Sequence, residues 1–211
     1  MGDLVFNGGK FGMWVGNQQF TVRNVTINNA QTAIYSAWNW GWTYQNLNIN
    51  NCGVGFDVAM GGLTEDTQTT GGLAVLDATI TNTPTFIRTN SDTSRLAGSI
   101  ILKNIVLKNV NTGVLTGSKV VLTGGSKTVA GWAQGNVYSG TSGSPVFTQG
   151  AVNLASIPDV LLEGGKLYGK GHPQYANYAV SQFVSVRAEG AKGDGSSDDT
   201  AALQAIFNKV C

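Results

Sequence analysis

A short pattern recurs along the first half of the chain, and it leaves few folds open. Phe20-Thr-Val-Arg-Asn-Val-Thr-Ile-Asn-Asn29 matches Trp42-Thr-Tyr-Gln-Asn-Leu-Asn-Ile-Asn-Asn51 at an offset of 22 residues. Leu76-Asp-Ala-Thr-Ile-Thr-Asn82 follows 31 residues on, and Lys103-Asn-Ile-Val-Leu-Lys-Asn109 a further 27. Two columns are polar: Asn24, Asn46, Asp77, Asn104, and Asn29, Asn51, Asn82, Asn109. Two are apolar: Val25, Leu47, Ala78, Ile105, and Ile27, Ile49, Ile80, Leu107. Apolar and polar residues alternate within each copy, which is the period of a strand. The closing Asn suits a left-handed turn residue and can bond the backbone of a neighbouring coil. Copies of unequal length around a constant strand core predict stacked coils with loops of variable length. Stacking would bury the apolar columns in one core and align the asparagines as a ladder. The expected fold is all-β: a right-handed parallel β-helix. A β-sandwich, which needs antiparallel hairpins with two-residue turns, is the second choice, because few such turns separate the copies.

The flanking segments extend this reading. Asp3-Leu-Val-Phe-Asn-Gly-Gly9, Val120-Val-Leu-Thr-Gly-Gly125 and Asp159-Val-Leu-Leu-Glu-Gly-Gly165 read as further coil edges. Gly131 to Gly150, rich in Gly, Ser and Thr, reads as long loops, and Gly171 to Ser181 as a linker on a surface. From Asp198 to Val210 the spacing turns helical, with Leu203, Ile206, Phe207 and Val210 on one side. Asp198 or Asp199 is placed to cap that helix. A lone terminal helix cannot bury its apolar side by itself, so residues 181–211 read as the opening of a second domain behind a first that spans 1–180.

Composition excludes several classes. Only 12% of the residues are charged and the net charge is +1, with no basic run, so a nucleic-acid partner is not expected. No apolar run reaches membrane-spanning length. Met1-Gly2-Asp3 lacks the basic start and apolar core of a secretory leader, so the sequence reads either as cytoplasmic or as an internal piece of a longer chain. Cys52 and Cys211 could pair with each other, pair elsewhere or stay reduced. No His/Cys cluster has metal-ligand spacing, and Gly190 to Gly195 lacks a phosphate-binding lysine or dinucleotide pattern, so no metal and no cofactor are expected. His172 is the single histidine and has no nucleophile elbow beside it. Asn24-Val-Thr26 is an N-glycosylation acceptor sequence lying within a repeat strand.

Tyr35-Ser-Ala-Trp-Asn-Trp-Gly-Trp42 holds three of the five tryptophans. In an extended segment Trp38, Trp40 and Trp42 would share one face. Such a row either fills a core or offers a flat surface for sugar rings, with one or two indoles in a cleft and the rest packed. Tyr35 and Trp14 are possible additions.

Two stretches carry a family resemblance. Glu189-Gly-Ala-Lys-Gly-Asp-Gly-Ser-Ser-Asp-Asp-Thr-Ala-Ala-Leu-Gln-Ala-Ile-Phe207 resembles the start of pectate-lyase-like β-helix domains. Gly16-Asn-Gln-Gln-Phe-Thr-Val-Arg-Asn-Val-Thr-Ile-Asn-Asn29, Trp38-Asn-Trp-Gly-Trp42 and Gly55-Phe-Asp-Val58 resemble fungal glycoside hydrolase family 55. The resemblance covers essentially the whole sequence. It implies a secreted, extracellular exo-β-1,3-glucanase with two tandem β-helices, residues 1–180 being later coils of the first. It implies inversion at the anomeric carbon, which needs an acid and a positioned water. The family's general acid is a glutamate of the second β-helix, and no Glu here matches it. The glucan cleft would then be completed by the remainder of the polypeptide or by a second chain.

On this reading Gln18, Gln19 and Ser36 are the water-positioning candidates, and Trp38, Trp40, Trp42, Tyr35 and Asp57 would bind substrate. Asp77 reads as structural within its column, Glu65 and Asp66 as solvated, Glu163 as a turn residue, and Asp194, Asp198 and Asp199 as turn and cap. The four arginines Arg23, Arg88, Arg95 and Arg187 form no cluster suited to lyase chemistry. A non-catalytic carbohydrate-binding β-helix and a polysaccharide lyase on the same fold are the alternatives.

Overall fold

The computed structural model describes residues 1–60, 69–89, 98–141, 143–175 and 177–210. Glu65, Asp66, Arg95 and Cys211 lie outside the described residues. The chain divides into two compact units, Met1–His172 and Pro173–Cys211.

The first unit is a parallel β-helix. Strands β1 (Gly2–Asn7), β2 (Phe11–Asn28), β3 (Thr32–Asn50), β4 (Val54–Val58), β5 (Gly72–Thr81), β6 (Thr85–Thr89) and β7 (Ser99–Thr116) pair side by side, all parallel. Together they make about four turns. The long strands bend through corners, so each contributes to more than one face. Face A stacks the rung that begins at Phe11, Thr32, Val54, Thr85 and Thr112. Face B stacks Phe20, Trp42, Leu73 and Ile100. Face C stacks Leu4, Val25, Leu47, Ala78 and Ile105, the last two pairing directly with each other.

The register is the one the repeat implies. Phe20 pairs with Trp42, Ile49 with Ile80 and Ile80 with Leu107. Val25, Leu47, Ala78 and Ile105 and the column of Ile27, Ile49, Ile80 and Leu107 are all buried. An aromatic chain runs through the same core: Trp42–Tyr44 5.9 Å, Tyr44–Phe56 5.0 Å, Phe56–Phe86 5.9 Å between ring centroids.

Both asparagine columns form corners in the left-handed region. The first, which begins at Asp3, has φ between 52° and 58°, and the second between 47° and 59°. Short polar side chains visit this region most readily because they bond locally. The side chains then bond coil to coil. Asn24 Nδ2 donates to Asp3 Oδ1 at 2.9 Å, Asn46 Nδ2 to Asn24 Oδ1 at 2.8 Å, and Asn104 Nδ2 to Asp77 Oδ1 at 2.6 Å. In the second column Asn82 donates to Asn51 at 3.1 Å and Asn109 to Asn82 at 2.9 Å. Both amide atoms of Asn24 are engaged, so its acceptor sequence for glycosylation is occupied by the fold.

The far end departs from the expectation. Val120–Gly125 is not a coil edge. It belongs to β8 (Lys119–Val137), which turns back at Gly117-Ser118 and runs antiparallel along β7. Residues 131–150 are not one long loop, because β8 continues to Val137 and β9 (Val146–Ala151) pairs antiparallel with it. The last coil's edge is thus covered by strands of this same chain, the usual remedy for unpaired strand groups. Asp159–Gly165 is not a coil edge either. Leu162–Glu163 (β10) and Lys166–Leu167 (β11) form a hairpin around Gly164-Gly165, both at positive φ, as a type I′ turn requires.

In the second unit, α1 spans Thr200–Val210. Asp199 leaves its side chain to the preceding turn, accepting the N–H groups of Lys192 and Gly193 at 2.8 Å each. Asp198 accepts from Thr200 N at 2.9 Å. Of the apolar side, Ile206 is buried while Leu203, Phe207 and Val210 are exposed. Lys209 pairs with Glu189 at 2.9 Å.

Candidate functional site

The coils differ in length at one corner. From Val58 at the end of the face A rung to Leu73 on face B, β4 and β5 are separated by the segment holding residues 61–68. From Thr89 to Ile100 the intervening segment holds 90–97. In the coil of β3 the same passage, Ser36 to Trp42, is short and continuous. Faces B and C show no such variation, since the registers of all three faces share the same offsets beyond this point. Corner loops on a rigid scaffold are where recognition residues are most readily placed. The tryptophan-rich segment occupies this corner.

The corner breaks the two-residue alternation, which corrects the expected shared face. The inward positions run Ser36, Asn39, Trp42, all buried. Trp38 and Trp40 flank Asn39 and point outward. Trp40 is 67% exposed and Trp38 half-buried, whereas Trp42 is 7% exposed and packs in the core with its Nε1 donating to Asn17 O at 3.3 Å. Asn39 staples the corner. Its Oδ1 accepts from Gly72 N at 3.1 Å, its backbone N–H donates to Thr69 O, and its carbonyl accepts from Gly71 N.

Gln18 and Gln19 are exposed in the preceding coil, and Gln19 pairs with Gly41 beside Trp40. Ser36 does not join them. It is fully buried, its Oγ 2.9 Å from Thr70 Oγ1, so it cannot hold a water at this surface. Tyr35 and Asp57 also lie elsewhere, on the outer side of face A, in one lateral row of Trp14, Tyr35, Asp57 and Arg88. There Trp14 stands 4.7 Å from Tyr35 and 5.0 Å from Phe11, and Asp57 pairs with Arg88 at 2.8 Å.

Sequence reasoning missed a groove next to the corner. About 250 Å³ lies on face B over Gly41, Gly72 and Ser99, walled by Thr43, Ala74 and Ile101. Small residues in successive coils leave this space. The signal was present in the four rungs Thr32-Ala-Ile, Val54-Gly-Phe, Thr85-Phe-Ile and Thr112-Gly-Val, which fix where the extra length enters.

Most of the described carboxylates are held by partners of their own. Asp57 faces Arg88, Glu189 faces Lys209, and Asp194, Asp198 and Asp199 hold the turn before α1. Asp3 and Asp77 hold the segment that follows β9. Among the described residues no group of three His, Cys, Asp or Glu could hold a metal ion, and no helix is long and apolar enough to cross a membrane.

Residues 1–57 match the family described as rhamnogalacturonase A/epimerase, pectate lyase-like. These are the coils from β1 into β4, with their laddered corners. The fold is that of a pectate-lyase-like parallel β-helix. Relatives of this β-helix extend over its whole length. It is 44% identical over 213 residues to a glucan 1,3-beta-glucosidase of Cochliobolus carbonum, covering 100% of this chain and 27% of that protein. It is 30% identical over 310 residues to a probable glucan endo-1,3-beta-glucosidase of Arthroderma benhamiae, covering 100% of this chain and 35% of that one. It is 34% identical over 218 residues to a protein of Penicillium expansum named non-secreted LysM effector LysM19, covering 99% and 17% respectively. The pectate-lyase-like β-helix thus spans about a third or less of the curated relatives it matches.

Proposed function

We propose that this chain is part of a secreted glycoside hydrolase of family 55 that cleaves β-1,3-glucan from the chain end with inversion and releases glucose. The observation that carries the reading is the outward pair Trp38 and Trp40 at the corner where coil length varies, beside the groove over Gly41, Gly72 and Ser99. Exposed indoles fixed by a sheet suit the flat apolar faces of sugars. The glucosidase relatives favour a β-1,3-glucan as the sugar. Gln18 and Gln19 are the remaining water-positioning candidates. The general acid is assigned to a segment outside this chain, because the resembled family carries it on a glutamate of the second β-helix and no Glu here matches that motif. Residues 181–211 are read as the opening of a second β-helix, whose partner surface would complete the cleft.

The test is glucose release from laminarin by the complete polypeptide of which this chain is proposed to be a part, with the first-formed anomer followed by NMR. Release of α-glucose supports an inverting exo-hydrolase. Release of oligosaccharides overturns the chain-end assignment. Laminarin binding without release by that complete polypeptide favours the second reading, a non-catalytic carbohydrate-binding β-helix.

A further inference from the structure

The segment that follows β9 runs back along the outside of the solenoid. It touches every rung of the first polar column in turn. Lys103 Nζ donates to Ala155 O at 2.6 Å, and Asn104 Nδ2 to Gly165 O at 3.4 Å. Leu167 N donates to Asp77 Oδ2 at 2.8 Å. Lys166 Nζ donates to Asn46 Oδ1 at 3.0 Å, and Gln45 Nε2 to Leu167 O at 3.3 Å. Gly171 lies against Asp3 and Asn24, and His172 N donates to Asp3 Oδ2 at 2.9 Å, with the imidazole Nε2 3.9 Å from the same oxygen.

We propose that residues 155–172 are a clasp that ties the first coil to the last, and that Asp3 and Asp77 are its latches. The column explains the two acids. At each, Oδ1 accepts the amide of the next coil, Asn24 at Asp3 and Asn104 at Asp77, while Oδ2 accepts a backbone N–H of the clasp. A carboxylate accepts at both oxygens, whereas an asparagine would set its –NH2 against one of those donors. Asp77 has no proton to pass to Asn46, so it interrupts the column there. Lys166 supplies that proton to Asn46 Oδ1 instead, and its neighbour Leu167 takes Asp77. The pair Lys166-Leu167 is therefore complementary to the pair Asn46 and Asp77. Coils of a solenoid otherwise touch only their neighbours and can open one at a time. A clasp across all of them makes opening a joint event.

Hydrogen exchange on the full chain tests this. In Asp77→Asn the Leu167 amide should exchange at least tenfold faster than in the parent. In Asp3→Asn/Asp77→Asn the face C amides 25–28 should lose protection at least tenfold relative to 105–108, compared with the same ratio in the parent. Lys166→Met, which leaves both acids in place, should speed the Leu167 amide in the same direction and serves if the acid variants fold poorly. Unchanged exchange at Leu167 in the variants that fold overturns the latches. Faster exchange there with the parent's ratio between the two rungs overturns the clasp.

Discussion

Gly16 lies against the indole of Trp38: a methyl group built at Gly16 would stand 2.8 Å from Trp38 Nε1 and 2.9 Å from its Cδ1. The two are register partners at the bulge between β2 and β3. Real contacts are not that short, so Gly16→Ala must move the indole rather than the sheet. Its tryptophan emission should shift in wavelength while the unfolding midpoint changes by less than about 1 kcal/mol equivalent, as for other surface changes. If Trp38 contributes to the glucan surface, laminarin affinity falls in the same variant. An emission spectrum identical to the parent's would show that the ring does not rest on Gly16.

Trp40→Ala removes the most exposed indole of the corner and touches little of the core. Laminarin affinity should drop about tenfold, roughly 1.4 kcal/mol, with thermal stability within about 0.5 kcal/mol of the parent. Calorimetric titration and a melting curve decide it together. Parental affinity would remove Trp40 from the proposed surface.

The hydroxyl of Tyr44 is buried and has no hydrogen-bond partner among the described residues, and burial pushes its pKa far up. Tyr44→Phe deletes an unsatisfied group while keeping the ring in its stack with Phe56. It should stabilise the chain by about 1 kcal/mol, raising Tm by roughly 2–4 °C. A lower Tm would mean that the hydroxyl is satisfied in solution.

Asn82 combines a left-handed backbone, φ 47°, with amide bonds to Asn51 and Asn109. Asn82→Gly keeps the conformation and loses the bonds, costing about 1 kcal/mol. Asn82→Ala loses both and should cost roughly 1–2 kcal/mol more. Denaturant midpoints of the two variants separate these contributions, and equal losses would deny any backbone share.

Acid should loosen the turn before α1. Asp194 accepts the N–H groups of Ser197 and Ser196 and the Ser197 hydroxyl, which hold its carboxyl well below the ordinary value of 3.8. Asp198 and Asp199 are lowered in the same sense by Thr200 and by the N–H groups of Lys192 and Gly193. A depressed folded pKa stabilises above the unfolded value and is lost as pH falls through the folded one. Exchange of the Ser196 and Ser197 amides should therefore accelerate beyond its intrinsic pH trend only below about pH 4. Acceleration already between pH 7 and 5 would contradict this.

The residues that announced the fold are those whose chemistry serves one purpose. An Asn in four successive copies has one explanation in a stacked coil, and both columns took the predicted place. The apolar columns were equally legible. Alternation, however, is the same in parallel and antiparallel strands, so Val120–Gly125 was indistinguishable from a coil edge by pattern. The two-residue turns Gly117-Ser118 and Gly164-Gly165 were the missing signals. The candidate site was half legible. The tryptophans marked the segment, but periodicity assumes a straight strand, and the bend at Asn39 sent Trp42 inward and left Trp38 and Trp40 outside. Tyr35 was drawn to the site by nearness in sequence, which the same bend undoes, and Asp57 is its register partner on face A.

Since all the extra length enters between faces A and B, the ladders and the core do not register it. Length added or deleted at that one seam leaves the pairing register of faces B and C in step. Divergence and engineering have the same licence there: a graft changes what the surface meets and leaves the folding problem as it was. Relatives with closely matching cores can accordingly differ in what they touch, and identity averaged over the whole chain is a poor guide to specificity in this molecule.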